Sequence, residues 1–403
     1  MEIINGGITS PKGFLASGVH CGIKKYKKDL AVIYSEVPCD AAGVFTTNKV
    51  KAAPVLVSMG NIKNDKIQAI VINSGNANAC TGEKGLEDAR EMVKLVSELL
   101  KIDSSSVLVS STGVIGVPLP MDKVRNGISM ACAELNKMGG QDAAEAIMTT
   151  DTCKKEIAIQ FEIQGVPIRI GAMAKGSGMI HPNMATMLAF ITADLNIDKT
   201  LLHEALKDSV EKSFNMITVD GDTSTNDMVV ILANGMAGNR RIMQKDGDYF
   251  KFLEVLNFVC TELAKMIIRD GEGATKFIEV KAKNARTIED AKKATKAVLN
   301  SNLVKTATFG EDANWGRILA AVGYSGADFD VNKIDIYFKS NDLVVKVAEN
   351  GAGLMFDEEL AKKILVNKEI EIILDFKDGE YEAVGFGCDL SYEYVRINGS
   401  YRT

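Results

Sequence analysis

Apolar residues recur along this chain at two spacings, and the spacing separates helices from strands. Between Glu83 and Lys101, residues Leu86, Ala89, Met92, Val93, Val96, Leu99 and Leu100 fall on one helical face. Further helices are predicted over Pro120–Leu135, from Asp198 as cap to about Phe214, over Tyr249–Arg269 and from Thr287 to about Leu303. A short helix is predicted to open in Phe309–Arg317, and Thr287 with Asp290 has the form of a capping box. Extended segments are predicted over Asp29–Val37, after a turn within Ala41–Asn48, and over Gln68–Ile72, Ser106–Ser110, Met228–Leu232 and Lys276–Val280. Glu156–Ile163 and Val166–Ala172 alternate apolar with polar and read as a hairpin about Gln164-Gly165. Strands are also predicted at Ile334–Phe338, Leu343–Val347, Ile370–Phe376, Tyr381–Phe386 and Tyr392–Ile397. Residues 1–28 read as glycine-rich and irregular. The pattern is a mixed α/β fold with several hairpins, without strict βαβ alternation, and with a soft boundary near 280–300.

One stretch breaks these periods. Lys175-Gly176-Ser177-Gly178 leads through His181-Pro182-Asn183 to Ala185-Thr186, and Met187–Ile191 then runs apolar without interruption. That run predicts a buried strand. A threonine therefore stands where a tight, glycine-rich loop enters a sheet.

Composition narrows the chemistry. The 403 residues are 46% hydrophobic and 25% charged, ordinary for a globular protein. Net charge is −6 with no basic run, which argues against nucleic acid as a partner. Apolar stretches are too short for the roughly twenty residues a membrane span needs, and the N-terminus lacks the form of a secretory signal. The seven cysteines are scattered, odd in number and never C-x-x-C. They predict reduced thiols in a cytoplasm and argue against a thiolate zinc site, so no metal is expected. No P-loop or strand-following G-x-G-x-x-G is present. Asp220-x-Asp222-x-Ser224 starts like a calcium loop but has Ile231 where glutamate is required. Arg269–Ala274 lacks the spacing of an acetyl-CoA loop, and nothing in the spacing of His20, His181 and His203 supports a catalytic triad.

A threonine hydroxyl is a poor nucleophile without a base beside it. Cutting the bond before Thr186 would supply one, because an α-amine titrates near pH ~8 and lies beside its own hydroxyl. Ala185 is small enough for the hydroxyl to reach the carbonyl upstream. Locally, a threonine at a strand start is also an ordinary β-branched sheet residue. A tetrahedral oxyanion needs donors, and Ser110–Gly116, with the Thr112 hydroxyl and Gly113, is a candidate loop for them.

The residues also resemble a known family. Ala41–Asn48, Ile72–Gly82, Ser111–Gly116, Met148–Thr152, Lys175–Ile180, Pro182–Leu188, Asp220–Asp227 and Gly310–Arg317 together resemble the ornithine acetyltransferase (ArgJ, glutamate N-acetyltransferase) family over essentially the whole chain. The resemblance implies an α/β self-processing architecture with an N-terminal threonine nucleophile, related to the DmpA-like aminopeptidases. It implies self-cleavage between Ala185 and Thr186 into an α chain, 1–185, and a β chain, 186–403. Acetyl would pass from N2-acetylornithine to Thr186 and then to glutamate, with Thr112 and Gly113 at the oxyanion positions. Thr152, Lys175, Thr186, Glu272, Asn398 and Thr403 match the substrate-contacting positions. Lys175 can pair with a substrate carboxylate and lower the pKa of the new amine, and Glu272 can pair with a substrate ammonium. No bound cofactor is implied. Some members also take acetyl-CoA as donor, and no motif here decides that. The implied assembly is two αβ pairs. A self-processing aminopeptidase and a non-catalytic amino-acid-binding descendant are the competing readings.

Overall fold

The computed structural model describes residues 1–181 and 187–400. Those residues form strands β1 (Glu2–Ile4), β2 (Phe14–Val19), β3 (Leu30–Phe45), β4 (Ile67–Asn76), β5 (Val107–Val114), β6 (Lys155–Ile163), β7 (Val166–Lys175) and β8 (Leu188–Ala193). They continue with β9 (Ile217–Thr218), β10 (Met228–Ala233), β11 (Phe277–Ala285), β12 (Asp335–Ser340), β13 (Leu343–Glu349), β14 (Ala352–Gly353), β15 (Glu369–Asp375) and β16 (Tyr381–Cys388). The helices are α1 (Ala53–Asn61), α2 (Gly82–Leu100), α3 (Met121–Ala133), α4 (Gly140–Ala146), α5 (Lys199–Lys212) and α6 (Gly247–Arg269). They are followed by α7 (Ile288–Asn300), α8 (Asn302–Phe309), α9 (Trp315–Gly323), α10 (Glu358–Leu365) and α11 (Tyr392–Ser400). The mixed α/β class is as expected.

One sheet runs β1-β6-β7-β8-β10-β3-β4-β5, with β2 also on β3; the other runs β14-β13-β12-β15-β11-β16-β9. In the first sheet β8 and β10 are parallel, Met228 opposite Leu188, and sit between the antiparallel neighbours β7 and β3. Their side chains alternate between two cores. Leu188, Phe190, Met228, Val230 and Leu232 face one, with α4; Ala189, Ile191, Val229 and Ile231 face the other, with α5 and α6. Both faces are dry, which is why these strands read as unbroken apolar runs.

Helix α6 joins the two sheets. Asp246 caps it, accepting from the N–H groups of Asp248 and Tyr249. It packs on β6 and β7 of one sheet and on β16 and β9 of the other. Phe252, Leu256, Val259, Leu263 and Ile267 share a core with Ile159, Ile170, Phe277 and Phe386. A separate core fills the second sheet beneath α7, α9 and α10.

Several expectations are corrected. β3 is one strand of sixteen residues, not two segments. Its first half pairs with both β2 and β4, its second half with β10, and the register shifts between Tyr34 and Cys39. Pro38 falls in that shift, where no ladder N–H is required. Residues 1–28 are not wholly irregular, since β1 and β2 lie there. Tyr392–Ile397 is helical, not a strand. Ser391 Oγ accepts from the N–H groups of Glu393 and Tyr394, and Arg396 pairs with Glu393 three residues back, so local bonds favour the helix. The helix expected from Thr287 to Leu303 ends at Asn300, where Ser301 caps α8 by accepting from Val304 N–H. The short α1, α4 and α10 and the two-residue strands were not anticipated. The seven cysteines are all unpaired. Among the described residues no helix is long and apolar enough to cross a membrane.

Leu263→Ala should lower unfolding free energy by about 2–5 kcal/mol, since it opens a cavity where α6 meets both sheets. Chemical denaturation with an unchanged m-value checks this.

Candidate active site

Four segments end together. Lys175 closes β7 opposite Leu188, the first residue of β8, and Met228 opens β10 on the other side of Leu188. The chain that follows Thr186 therefore enters the sheet between the end of β7 and the start of β10. Asn226 Nδ2 donates to Ala77 O at 2.6 Å and Ser111 O at 2.8 Å, so the loop before β10 is pinned to the loop after β4 and to the residue before Thr112. Between these segments is a cavity of about 190 Å³, with Thr112, Gly113, Lys175, Asp227, Glu272 and Asn398 in its walls.

Two glycines are required by contact. Gly113 has φ +135°, and a Cβ there would lie 2.3 Å from the Gly75 carbonyl carbon and 2.5 Å from Asn76 N. Its backbone is pressed bare against β4 next to Thr112. A Cβ on Gly178 would stand 2.3 Å from the Glu272 carboxyl carbon. Glu272 is held on that turn by its N–H donating to Ser177 O at 2.8 Å. Asn398 Nδ2 donates to Glu272 Oε2 at 2.9 Å, and the Tyr394 hydroxyl donates to Asp220 at 3.2 Å, so α11 forms one wall.

Behind the cavity is a line of buried charge. Lys155 Nζ is 2.7 Å from Asp151 and 2.6 Å from Asp270, and Lys175 Nζ is 3.9 Å from Asp151. Asp151 also accepts from Thr149 N–H and Gly176 N–H. Burial alone would raise the Asp151 pKa; Lys175 and Lys155 outweigh it and hold the carboxyl well below its usual range. Burial likewise opposes charge on Lys155, but Asp151 and Asp270 raise its pKa. Lys175 differs. Desolvation lowers its pKa, and Asp151 offsets this only in part because Lys155 repels it. Asp227 is the opposite case: burial pushes its carboxyl well above the ordinary range, and Lys175 compensates only in part.

The cavity thus brings Thr112, Gly113, Lys175, Glu272 and Asn398 together. Thr152 is exposed, and its N–H and hydroxyl both donate to Asp270. Thr149 and Thr150 line the cavity instead. Ala185, Thr186 and Thr403 lie outside the described residues. Asp151, Lys155, Asp270 and Asp227 were not singled out from sequence. For Asp227 a signal existed: an acid directly before a fully apolar strand is drawn out of water with it. Asp220 accepts from Met179 and Ile180 N–H at 2.7 and 2.9 Å, closing the 177–180 turn. Among the described residues no group of three His, Cys, Asp or Glu could hold a metal.

Asp151→Asn should cost about 3–5 kcal/mol, because it leaves Lys155 and Lys175 short of a buried counter-charge. The pH dependence has a defined sign. A carboxyl with a depressed folded pKa contributes fully above its unfolded value near ~3.9, and that contribution is lost as pH falls below it. Denaturation midpoints measured from pH 6 to pH 2 should therefore fall more steeply for wild type than for Asp151→Asn.

The chain can be set beside known proteins. The ArgJ family profile matches residues 15–403. An arginine biosynthesis bifunctional protein ArgJ of Caldanaerobacter subterraneus subsp. tengcongensis is 60% identical over 403 residues, covering 100% of each chain. A glutamate N-acetyltransferase of Methanocaldococcus jannaschii is 53% identical, again over 100% of each chain. A crystal structure of ornithine acetyltransferase complexed with ornithine, from Mycobacterium tuberculosis, is 41% identical with a TM-score of 0.43, covering 46% of this chain and 99% of that one. The residues around the cavity and the match along nearly the whole chain agree: this protein belongs to the ArgJ family.

Proposed function

We propose that this chain is the acetyltransferase of arginine biosynthesis that moves acetyl from N2-acetylornithine to glutamate through an acetyl-Thr186 intermediate. The observation that carries the reading is the cavity. An oxyanion-type pair at the end of β5 (Thr112, Gly113), where the sequence had suggested a loop, a buried cation (Lys175) and an acid (Glu272) share the cavity wall with Met187 and Leu188 at the start of β8. Relatives at 53–60% identity bear the names of this chemistry.

The enzyme first cuts itself between Ala185 and Thr186, giving chains 1–185 and 186–403. The freed α-amine of Thr186 takes the hydroxyl proton, and the oxygen attacks the acetyl carbonyl. Thr112 and Gly113 donate to the oxyanion. Ornithine leaves, and glutamate attacks the ester and carries the acetyl group away. Lys175 pairs with the substrate carboxylate and Glu272 with its ammonium; Asn398 orients Glu272, while Thr152 and Thr403 complete the substrate contacts. The Lys175 charge beside the new amine also lowers that amine's pKa, which suits it to act as a base near neutrality. The relative at 60% identity is named bifunctional, which supports a second activity, and acetyl-CoA as a further donor to glutamate is the form we assign to it. The two chains remain associated, and we expect a dimer of αβ pairs working in the cytoplasm.

Wild type should run as two chains, the second starting at Thr186, and should transfer acetyl from N2-acetylornithine to glutamate. Thr186→Ala should stay whole and inactive. An uncut but active wild type would overturn the nucleophile and base assignments. Release of free amino acid from peptides would favour the aminopeptidase reading, and an uncut, inactive chain would favour a binding protein.

A further inference from the structure

Asp227 has no part in the mechanism above. It is 2% exposed, lies in the cavity wall, and its Oδ2 has no hydrogen-bond partner among the described residues. It directly precedes β10, whose first residue is registered with Leu188 of β8. Hydrogen bonds from Ser224 and from Met187 N–H favour its ionised form but do not overcome burial. Met187 is joined by its peptide nitrogen to Thr186, so Asp227 is held beside the residue that follows the nucleophile. The charged groups around it are Lys175 at the end of β7, Glu272 after α6, and, behind Lys175, Asp151 and Lys155.

A buried carboxyl in a cavity wall with one oxygen unpartnered has capacity for a proton or a proton donor. The reaction needs one. When the amide of N2-acetylornithine is broken, the leaving nitrogen takes one proton that began on the Thr186 hydroxyl. That suffices for a neutral amine; departing as an ammonium, the form stable at neutral pH, takes a second. The incoming glutamate arrives as an ammonium and must lose a proton before its nitrogen can attack. The Thr186 amine serves the hydroxyl proton in both directions, so this second proton needs its own carrier.

We propose that Asp227 carries this second proton between the two half-reactions. In the first, the amide, the Thr186 hydroxyl and protonated Asp227 become acetyl-Thr186, ornithine ammonium and Asp227 carboxylate. In the second, glutamate ammonium, Asp227 carboxylate and acetyl-Thr186 become N-acetylglutamate, protonated Asp227 and the free hydroxyl. Atoms and charge balance in each half, and no proton is exchanged with bulk water over the cycle. Burial of the carboxyl favours its protonated form, which is the state the first half requires. This inference rests on acetyl transfer through Thr186.

The test compares two acetyl donors. N2-acetylornithine needs a protonated leaving group, whereas p-nitrophenyl acetate does not. Acetylation of the chain is followed by intact mass and burst kinetics. In Asp227→Asn the ratio of acylation rates, amide donor over ester donor, should fall about 100-fold relative to wild type, the scale of a lost general acid. In Asp227→Glu the ratio should recover at least in part. In wild type alone, acylation by N2-acetylornithine should decline as pH rises through the Asp227 pKa. Deacylation by glutamate should rise over the same interval, and acylation by the ester should show no such decline. The wild-type comparison needs no variant to fold, and Asp227→Asn separates the Asp227 limb from titration of Lys175. An equal loss with both donors, or matching pH limbs for both, would overturn the role of Asp227 while leaving the transferase reading intact. If neither donor acetylates wild type, the transferase reading fails and this inference falls with it.

Discussion

Placing the Lys155 ammonium between Asp151 and Asp270 takes three charges out of water together. Each group is costly to bury alone, and each is tolerable only because the others are in place. Asp151 and Lys155 are neighbours at the start of β6, four positions apart, while Asp270, just after α6, is 115 positions beyond Lys155. Asp151 then extends the contact to Lys175 and to Gly176 N–H, and so fixes the end of β7. This electrostatic condition fixes the wall behind Lys175, and the hydrogen bonds of Asn226 and Asp220 fix the others. Loss of any member would leave a charge with no water to turn to.

The same condition divides labour among the acids and bases. Asp151 and Lys155 sit in matched pairs and hold their ordinary charges firmly. Burial opposes charge on all four, and Lys175 and Asp227, which line the cavity, are the two of them in which it prevails. Asp151 and Lys155 are closely paired within the protein, while Lys175 and Asp227 have weaker internal partners and spare capacity toward the cavity. That contrast distinguishes the scaffold from the machinery more cleanly than proximity does.

Much of this was legible in the amino-acid pattern, and the exceptions are physical. The long amphipathic helices α2 and α6 and the caps at Asp198 and Thr287 show themselves through local chemistry. So does the hairpin β6–β7, and so does the dry strand after Thr186. The unbroken extent of β3 does not, because Pro38 looks like a break until the register shift around it is seen. Helix α11 was hidden because Tyr392-Glu393-Tyr394 alternates and Val395 and Ile397 add β-branched residues, while what decides the matter is the Ser391 cap. Of the cavity-facing residues, Thr112, Gly113 and Lys175 lie in recognisable motifs, while Glu272 and Asn398 could be marked only through the family resemblance. The charges behind them could not, since Asp151 and Asp270 are partners only across 119 positions of chain brought together by folding.

The position of β8 and β10 has one more consequence. Both follow Thr186 in the chain, yet they are inserted between β7 and β3, which precede it. On the proposed cut, the two products are interdigitated within one sheet, not docked side to side. The first sheet is complete only when both halves contribute, although the second lies wholly within 186–403, so the two products cannot be exchanged like ordinary subunits. The scission is then a quality check on manufacture: the catalytic amine appears only in molecules that have already threaded their strands correctly, and a misfolded copy remains unarmed.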